Sequence, residues 1–238
     1  MAVYWLGDRA LLGMLGARPF ALAEDPILRS ATDRIAAQLR IAPPKLALID
    51  DGFPRAFVVG RGPGSATLAV SVGLLRALRR EELDAVIAHE LAHVRSRDVL
   101  TQTFAVLFAV TLMEASRLGG WLSRALLFVL APVAAAFTHL LLSPKRELAA
   151  DADATRACDP HDLADALLRL DRAGELVSFA APPASEPLYA VDPFGEDPLV
   201  RMFRTHPPLE RRVAALRNLS TADDDLSRGA DDDKPDTA

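Results

Sequence analysis

The spacing of apolar residues changes several times along this chain, and each change marks an element. Between Asp25 and Arg40, the residues Ile27, Leu28, Ile35, Ala36 and Leu39 fall on one helical stripe. Asp25 and Pro26 supply a cap and a first position, and Pro43-Pro44 stops the helix. Lys45–Ile49 reads as a strand closed by Asp50-Asp51-Gly52. Two further strands, Arg55–Val59 and Ala66–Ser71, are joined by the turn-rich stretch 60–65, so a small antiparallel sheet is predicted. A helix from about Val72 leads into another over 81–98, where Leu83, Val86, Ile87, Leu91 and Val94 give a core face. Residues 1–23 are mildly apolar but interrupted by Asp8, Arg9, Arg18 and Pro19, which predicts a segment at an interface or packed on the domain.

After Asp98 the periodicity disappears. Val99–Met113 and Ala125–Leu142 are apolar nearly all round, separated by a polar connector that carries Trp121. At 1.5 Å per residue they span about 22 and 27 Å, slightly short of a bilayer core of about 30 Å. These lengths also fit a helical hairpin buried in protein. Arg95 and Arg97 before the pair, and Lys145 and Arg146 after it, favour lipid with both ends on the cytoplasmic side. Beyond it, Asp159-Pro160 starts a helix with Leu163, Ala166, Leu167 and Leu170 on its apolar face, which leaves His161 at the surface. Residues 174–200 read as a loop or lid, and the acidic stretch from Thr221 to Ala238 as disordered.

Composition sharpens this picture in three places. The chain is 50% hydrophobic but only 6% aromatic over 238 residues, with mean hydropathy +0.16, which fits one core plus a very apolar helical segment. The net charge of -5 leaves no basic face for nucleic acid. A single cysteine, Cys158, excludes an internal disulfide framework and fits a reducing compartment, as a small core residue rather than a nucleophile. The N-terminus lacks a basic region followed by a clean apolar run, so no signal peptide is read there.

The chemistry lies in His89-Glu90-Leu91-Ala92-His93 on the 81–98 helix. Histidines at i and i+4 share a helical face and can reach one metal ion. Glu90, beside that face, is placed to take a proton from a metal-activated water. Zinc held by two histidines needs one more protein ligand and an open position. Glu147, on a new helix directly after the apolar pair, is the best candidate, and Asp151 one turn later is placed to accept the second ring N–H of a liganding histidine. An open sheet edge near such a helix can hold an extended peptide across the metal, or serve as plain scaffold.

His-Glu-Leu-Ala-His followed by Asp98, an apolar hairpin, then Ser143-Pro144-Lys145-Arg146-Glu147 with Asp151, together resemble the HtpX family of membrane zinc metalloproteases. More distantly the pattern is similar to the CAAX prenyl proteases. Arg55-Ala56-Phe57-Val58-Val59-Gly60 resembles the family's Asn-Ala-Phe strand, and Thr205-His206-Pro207-Pro208 its Thr-His-Pro-Pro block, so the resemblance covers about residues 1–218. Two departures stand out: Arg55 replaces the expected Asn, and the family's N-terminal pair of membrane helices is missing. The resemblance implies a substrate-edge role for Ala56 and Phe57. His206 either donates to the oxyanion or sits in a turn, and Arg212 either pairs with a site carboxylate or lies at the surface.

These readings combine into an α+β, mainly helical, zincin-like metalloprotease with a small antiparallel sheet and an inserted apolar helical hairpin. Its expected parts are 1–98, the hairpin 99–142, 143–218 with the third ligand, and a disordered tail 219–238. The expected activity is zinc-dependent endopeptidase, with one Zn²⁺ on His89, His93 and Glu147, Glu90 as base, and polypeptides (membrane or misfolded proteins) as substrates. The expected place is the cell (inner/plasma) membrane, in contact with the lipid bilayer, with the site facing the cytoplasm. The alternatives are a catalytically silent zinc-binding membrane scaffold or chaperone and a soluble peptidase whose hairpin is core. A histidine pair inside the bilayer is disfavoured by Glu81, Glu82, Asp84, Arg95, Arg97 and Asp98 around it.

Overall fold

The computed structural model describes residue 9 and residues 11–21, 25–101, 103, 144–176 and 207–231, the last eleven of these and 174–176 by backbone alone. In chain order the elements are β1 (Ala17–Pro19), α1 (Pro26–Gln38), β2 (Lys45–Ile49), β3 (Ala56–Val59), β4 (Thr67–Ser71), α2 (Val72–Ala77), α3 (Arg80–Arg95), α4 (Pro144–Ala154), α5 (Pro160–Leu176) and α6 (Leu209–Asp231).

The helices start where their caps place them. Asp25 accepts from the backbone N–H groups of Ile27 and Leu28, both at 3.0 Å, a cap worth about 1 kcal/mol. Ser71 ends β4 and begins α2: its hydroxyl accepts from Leu74 N–H at 3.0 Å. Gly73 in the first turn of α2 allows a close approach, because a Cβ there would lie 2.2 Å from the carbonyl oxygen of Gly52. The start of α3 rests on Glu82, whose carboxylate accepts from Arg79 N–H at 2.8 Å. Its end is set by Arg97, at φ 62°, which turns the backbone out of the helix after Ser96.

The sheet has four strands in the order β1-β2-β4-β3, and it is mixed. The antiparallel sheet expected from three strands so close in sequence is therefore corrected. The link between β2 and β3 carries β3 past one position, and β4 returns into the gap parallel to β2 (Lys45 opposite Thr67, Ile49 opposite Ser71). β3 and β4 form the antiparallel hairpin, with Ala56 opposite Val70 and Val59 opposite Thr67. β1, at the other edge, pairs antiparallel with β2 through Ala17 and Ile49. Three residues ending in proline give almost no periodic signal, so the sequence reads only as packed or interfacial there.

α3 is the hub: it packs against α1, α4, α5 and β3. Residues 85–94 are all buried. Leu28 and Ile35 of α1, Leu68 and Val70 of β4, Val86 and Leu91 of α3, Leu163 and Leu167 of α5, and Leu216 of α6 belong to one hydrophobic core. Each such side chain contributes about 1.5–3 kcal/mol on burial.

The segment 99–142 lies outside the described residues apart from 99–101 and 103, as does 174–200 beyond Leu176. Among the described residues no helix is long and apolar enough to cross a membrane. The two ends of the segment are nonetheless held together. Arg146 Nη1 lies 3.0 Å from Asp98 Oδ1, and Arg95 pairs with Asp153. Expected disorder from Thr221 is not where the helix ends, since α6 continues to Asp231. A helix nucleated by packed residues extends at little cost per residue.

Candidate metal centre

The residues that the sequence singles out converge on the junction of α3 and α4. One turn apart on α3, His89 and His93 stack edge to face, with ring centroids 4.9 Å apart. Glu147, in the first turn of α4, points back at both. Its Oε2 is 3.6 Å from His89 Nε2, and its Oε1 is 3.5 Å from His93 Nε2. Those separations are too long for hydrogen bonds. Donor atoms held about 2 Å from a tetrahedral zinc lie roughly 3.3 Å apart, which is close to what these three side chains present. All three are buried, and one ligand atom from each lies within 4.8 Å of the others. With both rings neutral, two imidazole nitrogens facing a carboxylate offer a divalent cation three ligand atoms, so the donor set fits zinc.

Behind the histidines stands a chain of charges. Asp151 Oδ1 lies 2.9 Å from His89 Nδ1, within hydrogen-bond reach once that nitrogen carries the proton. Arg212, from the second turn of α6 and only 1% exposed, grips the same carboxylate with two bonds: Nε to Oδ2 at 2.8 Å and Nη2 to Oδ1 at 2.6 Å. The sequence left Arg212 between a site partner and a surface residue. The packing of α6 across α5 and α4 brings it inside.

The electrostatics follow from burial and partners. Burial alone would lower the His89 pKa, but the carboxylates of Asp151 and Glu147 outweigh it and raise it to about 9. Burial would raise Asp151; Arg212 and His89 reverse that and hold it well below the usual carboxylate range. Cys158 is pushed up to about 12 by burial and by Asp162 and Asp159, so it is an inert thiol, its Sγ 3.3 Å from the Ala154 carbonyl oxygen.

Glu90 is 4% exposed, next to His89 on the same buried stretch of α3. Ala56 and Phe57 lie on β3, the outer strand of the sheet, which packs against α3; they are 1% and 0% exposed. His206 and His139 lie outside the described residues, and His161 is exposed. Arg55, where the resemblance expects Asn, is 7% exposed and donates from Nη2 to Asp51 Oδ2 at 2.6 Å.

The chain is similar to several known proteins. The chain is 39% identical over 238 residues to a protease HtpX homolog of Acidiphilium cryptum (strain JF-5), covering 92% of this chain and 83% of that one. It is 36% identical over 235 residues to a protease HtpX homolog of Pyrococcus abyssi (strain GE5 / Orsay), covering 91% and 81%. Among solved structures, S. mikatae Ste24p superposes with a TM-score of 0.53 at 18% identity over 90% of this chain. This chain spans 54% of that one, and at this identity the likeness is one of fold. Residues 22–220 match the profile described as peptidase family M48, a span that takes in α1 to α5 and the turns of α6 that carry Arg212. On that ground the chain belongs to peptidase family M48.

Proposed function

We propose that this chain is a membrane-associated zinc-dependent endopeptidase. The observation that carries the proposal is the buried His89–His93–Glu147 triangle with Glu90 beside it on α3. Membership of a peptidase family and the similarity to proteases support it.

His89, His93 and Glu147 would hold the metal through Nε2, Nε2 and a carboxylate oxygen. Bound there, zinc would supply Lewis acidity, to polarise a peptide carbonyl and bring the pKa of a water down to about 7. Glu90 takes a proton from the attacking water and later delivers it to the leaving amine. Asp151, kept ionised by Arg212, accepts from His89 Nδ1 and so keeps Nε2 free for the metal. β3, through the Ala56 and Phe57 positions, receives an extended polypeptide as an added strand. His206 is assigned to the developing oxyanion because it precedes a buried Pro207 in the same block whose Arg212 reaches the site.

The apolar 99–142 segment would anchor the protein in the cell membrane. Two ion pairs, Arg146 with Asp98 and Arg95 with Asp153, join the residues flanking its two ends, which supports a hairpin returning to the side it left, and the flanking basic residues favour the cytoplasm for that side. Membrane or misfolded proteins are then the substrates within reach, as in quality control. On this reading the peptidase domain is split into 1–98 and 143–218 around the segment, with 219–238 as an appended tail.

A silent zinc-binding scaffold would need the triangle and not Glu90. The test is cleavage of casein by detergent-purified wild type and Glu90→Gln, with bound zinc measured in both. We expect about one zinc in each and a fall in kcat of about 10²–10⁴-fold in the variant. Equal cleavage by the two would sink the mechanism, and zinc without cleavage in wild type would favour the scaffold.

A further inference from the structure

The hydroxyl of Thr103 joins two parts of the molecule that the mechanism keeps separate. Thr103 is 4% exposed and lies at the root of the 99–142 segment. Its Oγ donates to the carbonyl of Val99 at 2.7 Å, which is ordinary behaviour for a threonine in a helix. The same oxygen also accepts from the backbone N–H of Gly60 at 3.2 Å, and Gly60 is the residue that follows β3.

That second bond closes off a tight corner. Gly60 is buried, so its N–H needs a protein partner. The corner is closely packed: a Cβ on Gly60 would sit 2.9 Å from both Ala66 Cα and Ser65 O, backbone atoms of the returning connection to β4. The last registered pair of the hairpin, Val59 opposite Thr67, is next to this corner. Val99, one turn before Thr103, is itself fully buried in the core. The outer strand is therefore braced at its end by the first turn of the apolar segment.

We propose that Thr103 is a positioning residue for the substrate strand: by accepting from the Gly60 N–H it fixes the end of β3, and so sets how well β3 receives a peptide. The proposal rests on the peptidase reading and on β3 as the receiving edge. Thr103 acts through Gly60.

The test compares full-length wild type, Thr103→Val and Thr103→Ser in detergent, with β-casein as substrate. Valine keeps the shape and loses the acceptor, leaving the Gly60 N–H unsatisfied; serine keeps the acceptor. In the valine variant KM for β-casein rises about tenfold while kcat and bound zinc stay within twofold of wild type, and hydrogen exchange quickens in peptides covering 56–60. Serine restores both readouts. A valine variant with unchanged KM overturns the proposal, and so does one that loses zinc or kcat in proportion, which is the mark of a merely structural role. A wild type that cuts nothing brings down the peptidase reading itself, whereas a cutting wild type with an indifferent valine variant brings down only this one.

Discussion

Helix α3 carries two buried polar clusters, seven residues or about 10 Å apart along its axis. At Glu82 the carboxylate is surrounded by donors. Arg79 gives a backbone N–H at 2.8 Å and Nε at 2.9 Å, and Arg169 of α5 reaches it at 2.9 Å. At His89 and His93 the geometry differs: Glu147 stands 3.5–3.6 Å from the two Nε2 atoms, a spacing that leaves room for a cation among the three side chains. The first cluster is complete as it stands; it starts α3 and ties α5 to it. In the second, Arg212 neutralises Asp151 on the side away from Glu147. Ligand-like spacing around a gap, rather than closure by direct hydrogen bonds, separates a candidate cation site from a structural knot of equal burial.

The largest effect should come from breaking the Arg212–Asp151 side of the second cluster. Arg212→Met leaves the Asp151 charge buried without its main partner, so a loss of about 3–5 kcal/mol is expected in chemical unfolding. Zinc affinity should fall about 10–100-fold, because His89 loses its fixed orientation. Unfolding curves and zinc titrations of the same preparation check both. A variant that keeps full zinc affinity would make Arg212 a core residue and no more.

Titration should separate the clusters next. In metal-free protein the His89 pKa is raised to about 9, above its unfolded value near 6.5. The stabilisation from its protonated form is therefore fully present below 6.5 and lost as pH rises through 9. Metal requires the neutral ring, so zinc affinity moves the other way, gaining about tenfold per pH unit up to about 9. Between pH 7 and 9 that amounts to about 2.7 kcal/mol. Competition titrations against a chelator at several pH values would show this slope, and a flat profile would contradict the pairing of His89 with Asp151 and Glu147.

Glu82→Gln should give the smallest change and leave zinc untouched. Arg79 and Arg169 are 59% and 46% exposed and can turn toward water, so a loss of about 1–2 kcal/mol in stability is expected. Its zinc affinity and pH slope should match wild type. A shift in either would mean that the two ends of α3 are coupled.

Local chemistry made several of these features readable. Asp25-Pro26, Ser71 and Asp159-Pro160 announce helix starts because capping depends on neighbours in sequence. The histidine pair follows from helical periodicity, and Glu147 with Asp151 from the same periodicity on α4. Glu82 gave no such signal, since one glutamate among Glu81, Glu82 and Asp84 looks like any solvated face. The short edge strand β1 and the parallel pairing of β2 with β4 were equally hidden, because pairing partners are set by where the links run.

By itself, then, the sequence determined most of the elements, the two histidines, the glutamate between them and the pair of carboxylates on the next helix, all through contacts within about one turn. Only the tertiary structure decided which carboxylate would be met by Arg212 across 61 residues, which by Arg169 across 87, and that Thr103 would meet Gly60 across 43. Those are pairings of buried groups that cannot stay unsatisfied, and their partners are chosen by packing around α3 rather than by spacing along the chain.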